Sequence, residues 1–124
     1  YAGSIFNRRH VPDLVRAFAD VARRHPDAEC DIVGDNRTYP REDVERAILA
    51  ADMAGRIRWH RFASDAVLDQ LYSRARGFAF LSEYEGLGLT PLEALAAGVA
   101  AEISRHKVGA RAIKLCKRRL PWQP

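Results

Sequence analysis

The sequence predicts an α/β domain of three layers, a parallel sheet with helices on both faces. Two observations predict the architecture. Short apolar runs near residues 1–6, 29–34, 57–61 and 77–81 alternate with segments whose apolar residues recur at helical spacing. Strands alternating with helices require right-handed crossovers, and so a parallel sheet. A third observation bounds its size: 124 residues, 48% of them hydrophobic, suit one soluble globular domain with a modest core.

The elements follow in order. After the first strand, Leu14, Phe18 and Val21 mark one face of a helix from about Val11 to His25. The second strand leads to a helix over about 41–52, with Val44, Ile48 and Ala51 on one face. Beyond the third strand, Ser64 is the expected N-cap of a helix that buries Val67, Leu68, Leu71 and Tyr72. The fourth strand, Gly77-Phe78-Ala79-Phe80-Leu81, precedes a glycine turn and a last helix. There Thr90 is the expected N-cap, Pro91 the first helical residue, and Leu92, Leu95 and Ala96 the apolar face. Ligands of such sheets bind beyond the carboxyl ends of the strands. The loops Gly3–Arg9, Gly34–Asn36, Phe62–Ser64 and Ser82–Leu89 all fall at that edge.

Several residues at this edge carry chemistry. Glu85 and Glu93 lie eight positions apart around a glycine loop and a helix start. A helix amino end attracts phosphate through its free N–H groups. By spacing alone Glu93 forms a capping box with Thr90, and Glu85 is a solvated turn carboxylate. Gly86 and Gly88 permit positive φ, and they also let the amides from Gly86 through Leu87 and Gly88 to Leu89 approach an anion closely. Arg8 and Arg9 are either exposed arginines or a diphosphate clamp, since guanidinium matches phosphate with two bonds. Cys30 and Cys116 have no metal-ligand spacing, and Cys30 suits a small core position. His10, His25, His60 and His106 are scattered, so no metal is expected. No apolar run approaches a membrane span and no signal peptide is visible. The expected setting is cytoplasmic, with peripheral contact at the inner face of the membrane as an option.

The stretch Ser82-Glu83-Tyr84-Glu85-Gly86-Leu87-Gly88-Leu89-Thr90-Pro91-Leu92-Glu93-Ala94 resembles the Glu-x7-Glu signature of retaining glycosyltransferases of family 4. Tyr1-Ala2-Gly3-Ser4-Ile5, Arg8-Arg9, Asp31-Ile32-Val33-Gly34-Asp35, Arg56-Ile57-Arg58-Trp59 and Leu71-Tyr72-Ser73-Arg74-Ala75 resemble further pieces of that family, in order. The resemblance covers roughly residues 1–99. It implies the Rossmann-like, donor-binding C-terminal half of a GT-B fold, incomplete at its C-terminus. It further implies that Glu93 holds ribose hydroxyls and that Glu85 holds donor-sugar hydroxyls. Arg8 and Arg9 would face the diphosphate, and the Gly86–Leu89 amides the sugar and diphosphate. Glu85 and Arg9 would act in catalysis. The donor would be a UDP-, GDP- or ADP-sugar, transferred with retention and without metal or other cofactor. The acceptor (a glycan, lipid or small molecule) would sit on an N-terminal domain that this sequence does not contain, so the fragment alone is expected to be inactive. Trp59 and Phe62 would border the nucleobase. The chain departs from the family pattern at two points, with Gly3-Ser4 for Gly-Arg and Arg9-His10 for Lys-Gly.

Charge divides the chain. Residues 1–102 hold 13 arginines, no lysine and all 16 acidic residues, a net of −3, whereas residues 103–124 net +7. The expected organisation is a partial donor-binding domain over 1–101 and a basic tail over 102–124 without family likeness. A truncated or out-of-frame end is the favoured account of that tail. The alternative is a non-catalytic α/β binding module whose basic tail binds nucleic acid or anionic membrane. No specific nucleic acid is expected under the first account.

Overall fold

In the structure, a computed structural model, residues 1–85 and 88–104 are described, with side chains as far as residue 101. A 3-10 turn at Asn7–Arg9 leads to α1 (Val11–Arg24), β1 (Cys30–Val33), α2 (Val44–Ala50), β2 (Ile57–His60), α3 (Asp65–Arg74), β3 (Phe78–Leu81), α4 (Leu89–Ala96) and β4 (Ala101–Ser104). Both ladders are parallel. β1 pairs β2 from Cys30↔Ile57 to Val33↔His60, and β3 pairs β4 from Phe78↔Ala101 to Leu81↔Ser104. The predicted α/β class with a parallel sheet is therefore what forms. β4 also crosses the boundary placed between residues 101 and 102. The tail from residue 105 onward, with His106 and Cys116, lies outside the described residues, as do Gly86 and Leu87.

The first predicted strand is only partly a strand. Residues 1–5 lie beside β1 through two isolated parallel bridges, Ala2↔Val33 and Ile5↔Asn36. Gly3, at φ 125°, interrupts the extended run between them. On the other side the Tyr1 ring stacks on Phe80 of β3, with centroids 5.9 Å apart. By hydrogen bonding the strands form two two-stranded parallel sheets, β1 with β2 and β3 with β4, and residues 1–5 stand between them, bridged to β1 and stacked on β3 through Tyr1. Around these strands the buried core collects Ile5, Val11, Val15, Ile32, Val44 and Phe80.

The helix boundaries are close to those expected, and α2 buries Val44 and Ile48 as expected, but the buried faces of α1, α3 and α4 are rotated. α1 buries Val11, Leu14, Val15, Ala19 and Ala22, while Phe18 is half-buried and Val21 is exposed. α2 starts later than predicted because Asp43 caps it, its carboxylate accepting from Arg46 N at 2.9 Å. Ser64 caps α3 as expected, yet Val67 is exposed and only Tyr72 is fully buried. The largest change is in α4. Its N-cap is Gly88, in the left-handed region at φ 65°, so the helix begins at Leu89 and Pro91 is its third residue. The expected capping box of Thr90 and Glu93 does not form. Pro91 and Ala94 are buried, while Leu92 and Leu95 point outward. Proline is tolerated there because the first-turn N–H groups lack intrahelical partners anyway.

Candidate functional site

At the carboxyl edge the chain from Phe6 to His10 meets the loop that follows β3. Three links join them. Glu83 N donates to Arg8 O at 3.0 Å, the His10 ring lies 3.0 Å from the Glu83 carboxylate, and Arg9 pairs with Glu85. The last is a fork: Nε donates to Oε1 at 2.9 Å and Nη2 to Oε2 at 3.1 Å. The remaining Arg9 nitrogen, Nη1, donates to Ser4 O at 3.0 Å, with the Tyr1 hydroxyl 3.4 Å away. Under the guanidinium lies the Phe80 ring, 5.0 Å from its central carbon. Gly3 makes room for this arginine, since a Cβ there would fall 2.6 Å from Nη1.

Glu85 receives a further hydrogen bond from Ser82 Oγ at 2.8 Å, and Arg8 Nε stands 3.9 Å from Oε1. Burial would raise the Glu85 pKa. The hydrogen bonds from Arg9 and Ser82, with the charges of Arg9 and Arg8, outweigh it and hold the carboxyl below its usual range. Arg8 is arranged differently. Its guanidinium lies over Phe6 at 4.4 Å and faces Tyr84 at 5.3 Å, and its buried Nε has no hydrogen-bond partner in the described structure. A cation held by rings but short of one acceptor suits an incoming anion.

The structure thus brings Arg8, Arg9 and Glu85 together, as the sequence suggested. Glu93 is exposed on α4 and takes no part in the Arg9–Glu85–Ser82 bonds. Its charge reaches the Tyr72 phenol of α3, whose pKa is raised first by burial and then by Glu93. Gly88 serves backbone conformation: a Cβ there would meet nothing within 4 Å. Leu89 opens α4 with its side chain exposed. His10, at the place of the family's glycine, takes φ 48°. That explains why glycine suits the position, and histidine adopts it at a modest cost. Ser82 and the Tyr1 hydroxyl were not legible as site residues. A serine three positions before Glu85 at a strand end was the available signal for Ser82. Near the nucleobase candidates, Arg61 covers the Trp59 ring at 4.7 Å and Phe62 is exposed. Trp59 Nε1 donates to Gly34 O at 2.9 Å.

A second ion-pair cluster spans β1 and β2, where Asp31 accepts from Arg58 Nε at 3.0 Å and lies 2.8 Å from the His60 ring. For Asp31 too, burial opposes ionisation, but Arg58 and His60 prevail and lower its pKa. A carboxyl whose folded pKa is depressed stabilises the fold above its unfolded value and loses that contribution as pH falls. Urea midpoints measured from about pH 7 down to about pH 3 should therefore fall most steeply below the ordinary carboxyl values. Those values are 4.5 for glutamate and 3.8 for aspartate. Glu85→Gln should flatten that slope, and an unchanged slope would show that the Arg9 pairing does not shift Glu85.

The group 1 glycosyl transferase family model matches residues 1–117. The chain belongs to that family. The match extends beyond residue 99 into the basic segment. The glycosyltransferase chain is also similar to the O-antigen chain mannosyltransferase B of Escherichia coli, at 29% identity over 103 residues. That alignment takes in 80% of this chain and 26% of the relative, so the chain spans about a quarter of that protein's length. Among the described residues no helix is long and apolar enough to cross a membrane.

Proposed function

We propose that this glycosyltransferase chain is the donor-binding part of a retaining family 4 enzyme of GT-B type. It binds a nucleotide-diphosphate sugar and, with an N-terminal domain, transfers the sugar to an acceptor. The observation that carries this reading is the Glu85 carboxylate, oriented by Arg9 and Ser82 at the carboxyl edge of the sheet with Arg8 alongside. Breaking a sugar–diphosphate bond leaves negative charge on the phosphates and positive character on the sugar. Arg8 and Arg9 stabilise the departing phosphates, the main electrostatic contribution. Glu85 orients the sugar hydroxyls, and Glu93 takes the ribose hydroxyls, both as positioning groups. Arg9 is the partner of Glu85. A diphosphate competes for the guanidinium and frees the carboxylate for sugar hydroxyls. The reading needs no metal or other cofactor. The amides of Gly86, Leu87, Gly88 and Leu89 would line the sugar and diphosphate, and Trp59 and Phe62 the base.

The test is an amide NMR titration of the chain with UDP, GDP and ADP, repeated with Glu93→Ala. The mannosyltransferase relative makes a nucleotide-linked mannose the first sugar donor to add. Shifts at Arg8, Arg9 and Glu85 with one nucleotide, abolished by Glu93→Ala, are the expected outcome. A dispersed spectrum that responds to none of the three would reduce the family membership to ancestry for this chain.

A further inference from the structure

A large aromatic side chain at the carboxyl edge is left in water. Tyr84 is the third residue after β3 and the one before Glu85, and it is 67% exposed. The backbone that carries it is nonetheless held on both sides. Glu83 N donates to Arg8 O at 3.0 Å, and Glu85 turns its carboxylate into the Arg9 fork. Ser82 Oγ, buried and with one proton to give, stands within bonding distance of both Tyr84 O, at 3.0 Å, and Glu85 Oε1, at 2.8 Å. The tyrosine and the carboxylate are therefore placed as one unit.

The ring is held as well. The Arg8 guanidinium lies over it at 5.3 Å and over Phe6 at 4.4 Å. Phe6 supplies the closer of these contacts, so a second ring is not needed to hold the cation. A tyrosine that served Arg8 alone would add a weak surface contact and leave most of a large side chain in water, which gives the fold little. The same exposure is what a binding surface requires. Tyrosine offers a broad apolar face and a hydroxyl at its tip, and it has few rotamers to lose. Orientation by Arg8 removes part of that loss before a ligand arrives.

The neighbouring groups select the ligand. A carboxylate accepts hydroxyl protons, and the negative face of an aromatic ring attracts positively polarised C–H groups. A pyranose ring offers both, hydroxyls around its rim and C–H groups on its face. A phosphate would use the arginines but be repelled by Glu85, and a planar base would use the ring but bring no set of hydroxyls to the carboxylate. We propose that Tyr84 is a stacking platform for a hexose ring, set one residue before the carboxylate that takes sugar hydroxyls. The inference rests on the donor-site reading for the role of Glu85. The hexose is either the donor's own sugar or the sugar that receives it, since both present the same face chemistry.

The test is an amide NMR titration of the full chain, Tyr84→Ala and Tyr84→Phe, read at Glu83 and Glu85. The probes are UDP with UDP-glucose, GDP with GDP-mannose, ADP with ADP-glucose, and methyl α-mannoside alone. Tyr84→Ala should leave the bare diphosphates within about twofold and weaken a hexose conjugate, or the free mannoside, by about tenfold. Tyr84→Phe should bind like the parent chain. A loss with the conjugates assigns the platform to the donor's sugar, and a loss with the free mannoside but not the conjugates assigns it to the receiving sugar. An equal loss with the bare diphosphates would put the ring on the nucleotide and overturn the proposal. So would a Tyr84→Ala chain that binds every probe like the parent, or a Tyr84→Phe chain as weak as Tyr84→Ala, which would make the hydroxyl and not the ring the contact. If no diphosphate binds, the donor-site reading fails separately and the free mannoside decides the platform. Shifts abolished by Tyr84→Ala then sustain it, and the absence of shifts overturns it.

Discussion

Arg9→Ala is expected to cost about 2–3 kcal/mol of stability, because it removes charge-assisted bonds and leaves Glu85 partly buried without its fork. The two side chains are 12% and 20% exposed, so water screens the pair less than a surface salt bridge. The loss extends past the pair. Arg9 also ties Ser4 O and covers Phe80, so its removal loosens the junction between the first loop and β3. Arg9→Lys keeps the charge but cannot make the fork, and should recover less than half of the loss. A double-mutant cycle with Glu85→Ala, followed by urea unfolding, should give a coupling of about 1–3 kcal/mol. Additive effects would mean that the fork contributes nothing. Under the donor-site proposal, Arg9→Ala also weakens nucleoside diphosphate binding by roughly a hundredfold, about 3 kcal/mol. Binding that survives unchanged would remove Arg9 from the phosphate site while leaving its structural role intact.

Gly34→Ala should be at least as damaging, for a reason unrelated to charge. Gly34 closes β1 at φ 148°, and a Cβ there would lie 2.0 Å from Gly3 O and 2.7 Å from Gly3 C. Both obstacles are backbone atoms, so no side chain can swing aside. Overlap and backbone strain together should cost about 3–5 kcal/mol, enough to unfold a marginal domain. Gly55→Ala is the matched control. Its φ is 83°, but a Cβ there meets nothing within 4 Å. It should cost about 1 kcal/mol, the ordinary penalty for a left-handed alanine. Denaturation midpoints of the two variants should differ clearly. Equal midpoints would mean that the Gly3 and Gly34 backbones are free to separate, and that the carboxyl edge is less tightly built than described.

Features set by neighbouring residues are legible in the sequence, and those set by distant partners are not. The helix of residues 11–24 and the strands at 30–33, 57–60 and 78–81 follow from apolar period and turn residues, which are properties of neighbouring positions. So does the placement of Arg8, Arg9 and Glu85 at one sheet edge, since a parallel sheet sends alternate connections to that edge. The buried faces of α1 and α3 differ from those expected because an apolar stripe is broad, and its centre is set by whatever packs against it. Thr90 has the chemistry of a cap, but Gly88 reaches the left-handed region without strain, and the chain turns there instead.

The sequence by itself determined the α/β class, the parallel sheet and the edge at which charged residues gather, because each is encoded in periodicity and turn chemistry over a few residues. Only the tertiary structure decided that Arg9 grips Glu85 across 76 residues, that Ser82 completes the grip, and that Glu93 stands outside it. Those outcomes depend on ångström-scale distances between segments remote in sequence, which no local pattern specifies.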